Sequence, residues 1–340
     1  MKTNPLWQLT RVHVLGLLRE PGALFWTFGF PILLTLALGF AFRSAGAPAI
    51  AVGTDDQSLA DDMSGSKGLE VRVLPAPSLA EELRHSHIAL AIMRDGNSVT
   101  YTFDEQRPEA RAARLLADHA LQRRAGRIDA LQVRDASVTA KGARYVDWLV
   151  PGLLGMQLMS GSLWGIGYSL VNQRVRKLLK RFSATPMRRS DFLLSYIFSR
   201  FLWLPVEVGS LTLFATVAFG VELRGSLMAV SVLSLMGAAS FSGLGALIGS
   251  RAENIETAGG LVNLVFLPMG LCSGVFFATS NFPAAVQPWL RLMPLTALND
   301  ALRAVFNDGA SLVSQHGPLT IMAVWGVLSF ALALKIFRWT

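Results

Sequence analysis

The side chains best suited to work on something else in this sequence lie between residues 171 and 186. Val171, Val175, Leu178/Leu179 and Phe182 recur at helical spacing, and Arg174, Arg176, Lys177, Lys180 and Arg181 crowd the other face. Pro186 then stops the run. Such a helix can rest on anionic lipid or lie in a partner's groove, and charge alone does not separate the two. A second pair is Arg200 and Glu207, seven residues apart on one helical face inside an apolar stretch. Ionisable groups at such depth usually face an interior or a cavity. That leaves a structural ion pair, a substrate or proton-linked role, or a headgroup-level position if the span begins late. Asp300 and Arg303, three apart, read most simply as an intrahelical pair.

Other chemistry finds little support. No Gly-x4-Gly-Lys-Ser/Thr loop occurs in the chain, so it cannot hydrolyse ATP alone, and Ser64-Gly65-Ser66-Lys67-Gly68 lacks that spacing. The single cysteine, Cys272, excludes an intrachain disulfide and a thiolate metal cluster. His85 and His87 have no third ligand nearby, and a solvated turn explains them better than a metal. No metal site is expected. No apolar stretch carries the paired acids, His cluster or Ser/His arrangement that a membrane-embedded enzyme would need.

The elements that must position these residues follow from composition. Of 340 residues, 52% are hydrophobic and 16% charged, with mean hydropathy +0.42, whereas soluble domains carry about 25% charge. Residues 43–147 hold 14 Lys/Arg and 15 Asp/Glu, while the other 235 residues hold 17 and 8, a net +9. An evenly basic nucleic-acid binder would not divide its charge this way, and no nucleic-acid partner is expected. Six stretches reach the roughly 20 apolar residues that a bilayer requires: 21–42, 148–171, 192–221, 227–249, 258–277 and 319–337. Residues 172–190 are rich in Lys and Arg and free of acid, and Lys2, Arg11, Arg19 and Arg338 fall on the same face of a six-span topology. Short basic loops stay in the cytoplasm, so both termini are expected inside and residues 43–147 outside. Ala45-Gly46-Ala47 resembles a signal cleavage site, but the apolar run before it is too long for a signal core. Residues 5–19 suit a helix lying in the interface or a plain cytoplasmic lead-in.

Residues 43–147 alternate strand-like runs (49–52, 69–74, 87–93, 98–103) with helical ones (58–63, 78–84, 109–127). The longest helix takes Ala112, Leu115, Leu116, His119 and Leu121 as its apolar stripe. Residues 279–317 are broken by Pro283 and Pro294 into apolar pieces of about ten residues, too short to span, so they form a re-entrant hairpin or an amphipathic surface hairpin. Gly161/Gly165, Gly245/Gly249 and Gly270/Gly274, each four apart, could let helices approach closely. The fold class is therefore an all-α polytopic membrane protein with six transmembrane helices, a re-entrant helical hairpin before the last, and an inserted small α/β extracytoplasmic domain. Its parts are an interfacial helix and first span (1–42), the α/β domain (43–147), and the remaining spans with a cytoplasmic coupling helix (172–190) and the hairpin (279–317).

The run Lys180-Arg181-Phe182-Ser183-Ala184-Thr185-Pro186-Met187 ahead of a span resembles the coupling segment of ABC type-2 transporter permeases. Residues 263–269 (Asn263 to Met269), 273–277 (Ser273 to Phe277) and 294–303 (Pro294 to Arg303) resemble that family's C-terminal signature. Val175, Lys177 and Leu178 stand where the family often has an acidic residue and a Gly-Thr pair. The resemblance implies a permease subunit of an ABC exporter in a bacterial cytoplasmic membrane. A separate ATPase subunit would grip residues 172–186 and carry the ATP and Mg, and two permease subunits would assemble, most simply as a homodimer, with a heterodimer also open. Drug-like or lipid-like efflux, up to multidrug export, would then pass Glu207, Asn263, Phe276 and Phe277. A membrane receptor or scaffold whose external domain binds a partner is the competing reading, and ATPase binding through the basic helix would separate the two.

Overall fold

The computed structural model describes residues 5–19, 21–41, 49–66, 68–96, 98–127, 144–178 and 189–336. The chain forms two compact units, Ser44–Ser137 and the remainder.

The smaller unit is a four-stranded sheet in the order β2-β1-β3-β4. Strand β1 (Ile50–Thr54) runs parallel to β2 (Leu69–Val73), with Ile50 opposite Leu69, and to β3 (Leu90–Asp95), with Val52 opposite Leu90. Strand β4 (Ser98–Phe103) returns antiparallel to β3. Parallel neighbours need crossovers, and these are α4 (Gln57–Met63) and α5 (Ala76–Arg84). Asp56 caps α4 by accepting from the Ser58 N–H at 2.7 Å. The Ser58 hydroxyl, which also donates to it at 2.7 Å, and then that N–H hold its carboxyl below the usual carboxylate range. One sheet face packs Leu59 and Met63 of α4 against Leu90, Ile92 and helix α6 (Pro108–Arg124), and the other packs Leu79 of α5.

Helix α6 corrects the expected stripe. Ala110, Ala113 and Ala117 are fully buried, whereas Leu115 is 65% exposed and Leu116 39%. Alanines at i, i+3 and i+7 let the helix lie close on the sheet, and that approach sets its rotation. Of the expected leucines, Leu121 packs on this core while Leu115 and Leu116 turn outward, so side-chain size alone does not pick the inward face.

In the larger unit, α1 (Pro5–Leu18) packs along α9 (Arg189–Phe219). The first apolar stretch is α2 (Pro21–Leu24), a π turn (Phe25–Gly29) and α3 (Phe30–Ala41). The second is α7 (Tyr145–Ser162), a π turn (Leu163–Tyr168) and α8 (Ser169–Val175). Helices α10 (Leu227–Arg251) and α11 (Ile255–Cys272) follow, capped by Ser226 and Asn254. Then come the five-residue α12 (Gln287–Arg291), α13 (Pro294–Asp308) and α14 (His316–Ile336). Among the described residues five helical segments are long and apolar enough to cross a bilayer, and the first stretch contributes a shorter 17-residue run, Phe25–Ala41. The protein is thus a multi-pass membrane protein.

Two boundaries differ from those expected. The fifth span ends at Cys272, not at residue 277, and the first leg of the expected hairpin is a single turn of helix while its second leg has 15 residues. α13 buries Leu295, Leu298, Ala301, Leu302 and Val305 in the main core with Leu153 and Leu158 of α7 and Phe241 of α10. Apolar burial gains little between helices already in lipid, so close approach through small residues carries the packing. A β-carbon on Gly243 of α10 would stand 2.8 Å from Gly326 O of α14, and one on Gly245 would stand 2.8 Å from Ser162 O.

Candidate functional site

The basic segment is described as far as Leu178. Helix α8 stops after Val175, and Lys177 adopts a left-handed backbone (φ 56°) that turns the chain away. Arg176 and Lys177 are exposed, Arg176 donating to Asn172 Oδ1 at 3.1 Å. Arg174 points the other way: its Nη1 donates to Ala252 O at 2.6 Å and its Nη2 to Ser250 O at 3.1 Å, at the end of α10. One residue earlier, Gln173 donates to the buried hydroxyl of Tyr196 on α9, and the Tyr196 ring lies 3.9 Å from that of His13 on α1. Burial lowers the His13 pKa from 6.5 to about 4. Lys180, Arg181, Phe182 and Pro186 lie outside the described residues.

Arg174 is one of several arginines that hold a helix C-terminus from another element. Arg144 donates to Phe219 O (2.9 Å) and Gly220 O (3.2 Å) at the end of α9 while pairing with Asp147 at 2.7 Å. Arg224 donates to Asn307 O near the end of α13 at 3.0 Å. Arg303 donates to Gly274 O just past α11. Arg174, Arg144 and Arg224 supply positive charge and donors where the last carbonyls of a helix lack partners and the dipole is negative, whereas the Arg303 acceptor lies two residues beyond its helix.

The Arg200–Glu207 pair is present and buried. Gly161 leaves the space that the guanidinium fills, and Arg200 also donates to Ser162 Oγ at 3.2 Å and Leu158 O at 3.4 Å. The pair therefore joins α9 to α7 where the second π turn begins. Gln157, one turn earlier, donates to Thr27 O at 2.7 Å inside the first π turn, where the widened helix frees a carbonyl.

Among the other candidates, Asn263 stands on the exposed face of α11, about 12 Å along its axis. Phe276 packs on the core, and Phe277 is exposed. Pro283 is exposed in the turn before α12, and Pro294 is buried in the first turn of α13. Asp300 lies 3.8 Å from Arg303, but Arg303 is committed elsewhere: its guanidinium stacks 3.8 Å from the Trp148 ring and its Nε donates to Trp148 O at 3.2 Å. Asn299, not singled out from the sequence, donates to Ser273 O at 3.0 Å. A signal for it existed, since Asn299 and Arg303 four apart face Gly155 and Gly152 three apart. The glycine pairs divide: Gly245 and Gly249 meet the second span closely, Gly161 receives Arg200, and Gly165 and Gly270 face open space. His87 pairs with Glu82 at 3.0 Å.

Residues 21–335 match the family model described as ABC-2 family transporter protein. The chain belongs to the ABC-2 transporter family. It is 30% identical over 179 residues to inner membrane transport permease YhhJ of Escherichia coli (strain K12), a match over 51% of this chain and 47% of that protein, and equally to its Shigella flexneri counterpart. It is 23% identical over 195 residues to ABC transporter G family member 20 of Dictyostelium discoideum, over 57% of this chain and 27% of that one. The chain thus spans about half the length of the bacterial relatives and about a quarter of the Dictyostelium protein. Within this ABC-2 chain the matched region takes in both the arginine-held helix ends and the Arg200–Glu207 pair.

Proposed function

We propose that this ABC-2 protein is the membrane permease of an ATP-driven exporter. On this reading it crosses a bacterial cytoplasmic membrane six times with both termini inside. Two copies pair with two separate ATPase subunits that bind the ATP and Mg. The sheet unit lies outside, and the cargo is hydrophobic or amphipathic, passing Glu207, Asn263, Phe276 and Phe277.

The observation that carries the reading is the grip of Arg174 on the end of α10, next to exposed Arg176 and Lys177. A partner pushing on the basic segment would act on a side chain already bound to α10, with α9 attached through Gln173 and Tyr196. Helices tied at their ends move as bodies, which is how a local closure becomes a change of access across a membrane.

The test is co-purification with an ATPase subunit. Changing Arg176, Lys180 and Phe182 together to Ala should abolish it, and retention of the ATPase would reject the coupling role. In vesicles, Phe276→Ala/Phe277→Ala should lower efflux of an amphipathic dye. Unchanged efflux would remove those aromatics from the path.

A further inference from the structure

Residues 273–278, between α11 and the short 3-10 turn at Thr279–Asn281, have no regular structure. Carbonyls in such a stretch lose their helical partners, and leaving them bare in a water-poor setting is costly. Here three of four successive carbonyls are taken by side chains from other helices. Asn299 Nδ2 donates to Ser273 O at 3.0 Å, Arg303 Nη2 to Gly274 O, and Tyr145 Oη to Phe276 O at 3.3 Å. The skipped residue, Val275, is fully buried.

The donors are themselves fixed. Asn299 and Arg303 sit four apart on α13 and lie against Gly155 and Gly152 of α7. A β-carbon at Gly155 would collide with Asn299 Oδ1, and one at Gly152 would stand 2.8 Å from Arg303 Nη2 and 3.1 Å from Val275 O. Trp148 holds the Arg303 guanidinium by its ring and its carbonyl. The Asp300 side chain is 53% exposed and 3.8 Å away, which makes it the weaker partner.

We propose that Asn299, Arg303 and Tyr145 are positioning residues that hold the 273–277 backbone by its carbonyls and so set where Phe276 and Phe277 stand. The consequence for cargo rests on the exporter reading, but the clamp itself does not.

Cys272 makes this measurable. It is the chain's single cysteine and the last residue of α11, directly before the clamped stretch. In full-length protein in lipid nanodiscs, a small neutral maleimide then reports on this break alone. Asn299→Ala and Arg303→Lys should each label about tenfold faster, the loss expected for one hydrogen bond of about 1.4 kcal/mol. Arg303→Lys keeps the charge but loses the planar fork. Tyr145→Phe deletes one hydroxyl and retains the ring, so it should fold, keep its Tm, and label about threefold faster. Asp300→Asn should label at the wild-type rate. Wild-type labelling by Tyr145→Phe and Asn299→Ala would overturn the clamp. So would Asp300→Asn matching Arg303→Lys, which would make the ion pair the anchor. No ATPase takes part, so failure of the coupling experiment leaves this result standing.

Discussion

Replacing Glu207 by Leu removes the one anionic acceptor, among the described residues, from a guanidinium buried between α7 and α9. Arg200 keeps Ser162 Oγ at 3.2 Å and Leu158 O at 3.4 Å, both neutral and both long. Breaking a buried pair from one side costs about 3–5 kcal/mol, because the remaining charge is stranded. At about 2–4 °C per kcal/mol for a body of this size, Tm should fall by about 6–20 °C. Arg200→Met/Glu207→Leu, with no charge left, should recover most of that loss. Arg200→Met alone should cost a similar amount, because it strands the other charge of the pair. The assay is thermal unfolding of purified protein in detergent followed by intrinsic fluorescence, with the four variants forming a cycle. A double variant as unstable as Glu207→Leu would refute the reasoning, because stranded charge would then not be the cause.

Three further outcomes are expected. His13 stays neutral when packed, so a detached α1 binds the extra proton; its packing weakens as pH falls below 6.5, by about 2 kcal/mol at pH 5, and the loss is complete near pH 4. Hydrogen-exchange protection of residues 5–18 should fall accordingly, and His13→Phe should abolish that pH dependence. Ala113→Leu should destabilise the sheet unit by about 1–3 kcal/mol, while Leu115→Glu should stay within about 0.5 kcal/mol; hydrogen exchange in the full chain reads both, and the opposite order would restore the leucine stripe. Gly243→Leu should cost about 1–3 kcal/mol by wedging α10 from α14, while Gly270→Ala, with no atom within 4 Å of its β-carbon, should be near neutral in Tm.

The sheet unit was largely legible because strands and helices alternate with clear periods, and each expected strand overlaps an observed one. The rotation of α6 was not, because the alanine face that touches the sheet is less hydrophobic than the leucine face that does not. The spans could be read from hydropathy, but the ends of helices could not. Arg174 and Arg303 look, by charge alone, like a partner's docking residue and half of an intrahelical pair. Each spends a donor on a carbonyl at or just beyond the end of another helix, 76 and 29 residues away, respectively. Those carbonyls exist as partners only once another helix has stopped beside them, which no local pattern records. The link between Gln157 and Thr27 was hidden for the same reason: a π turn exposes the acceptor, and hydropathy does not register a π turn.

A π turn is an α-helix with one residue inserted, and in residues 145–175 that insertion sets the phase of the whole rod. At about 100° per residue, Gly155 trails Gly152 by about 60°, and an uninterrupted helix would place Gly167 about 60° ahead of Gly152. Absorbing one residue moves Gly167 back by about 100°, onto the arc between the other two. A single glycine meridian then runs down the rod, meeting α13 at Gly152 and Gly155 and Gly245 of α10 at Gly167. Losing one codon within 163–168 would leave both halves helical and still twist the lower groove out of reach of α10.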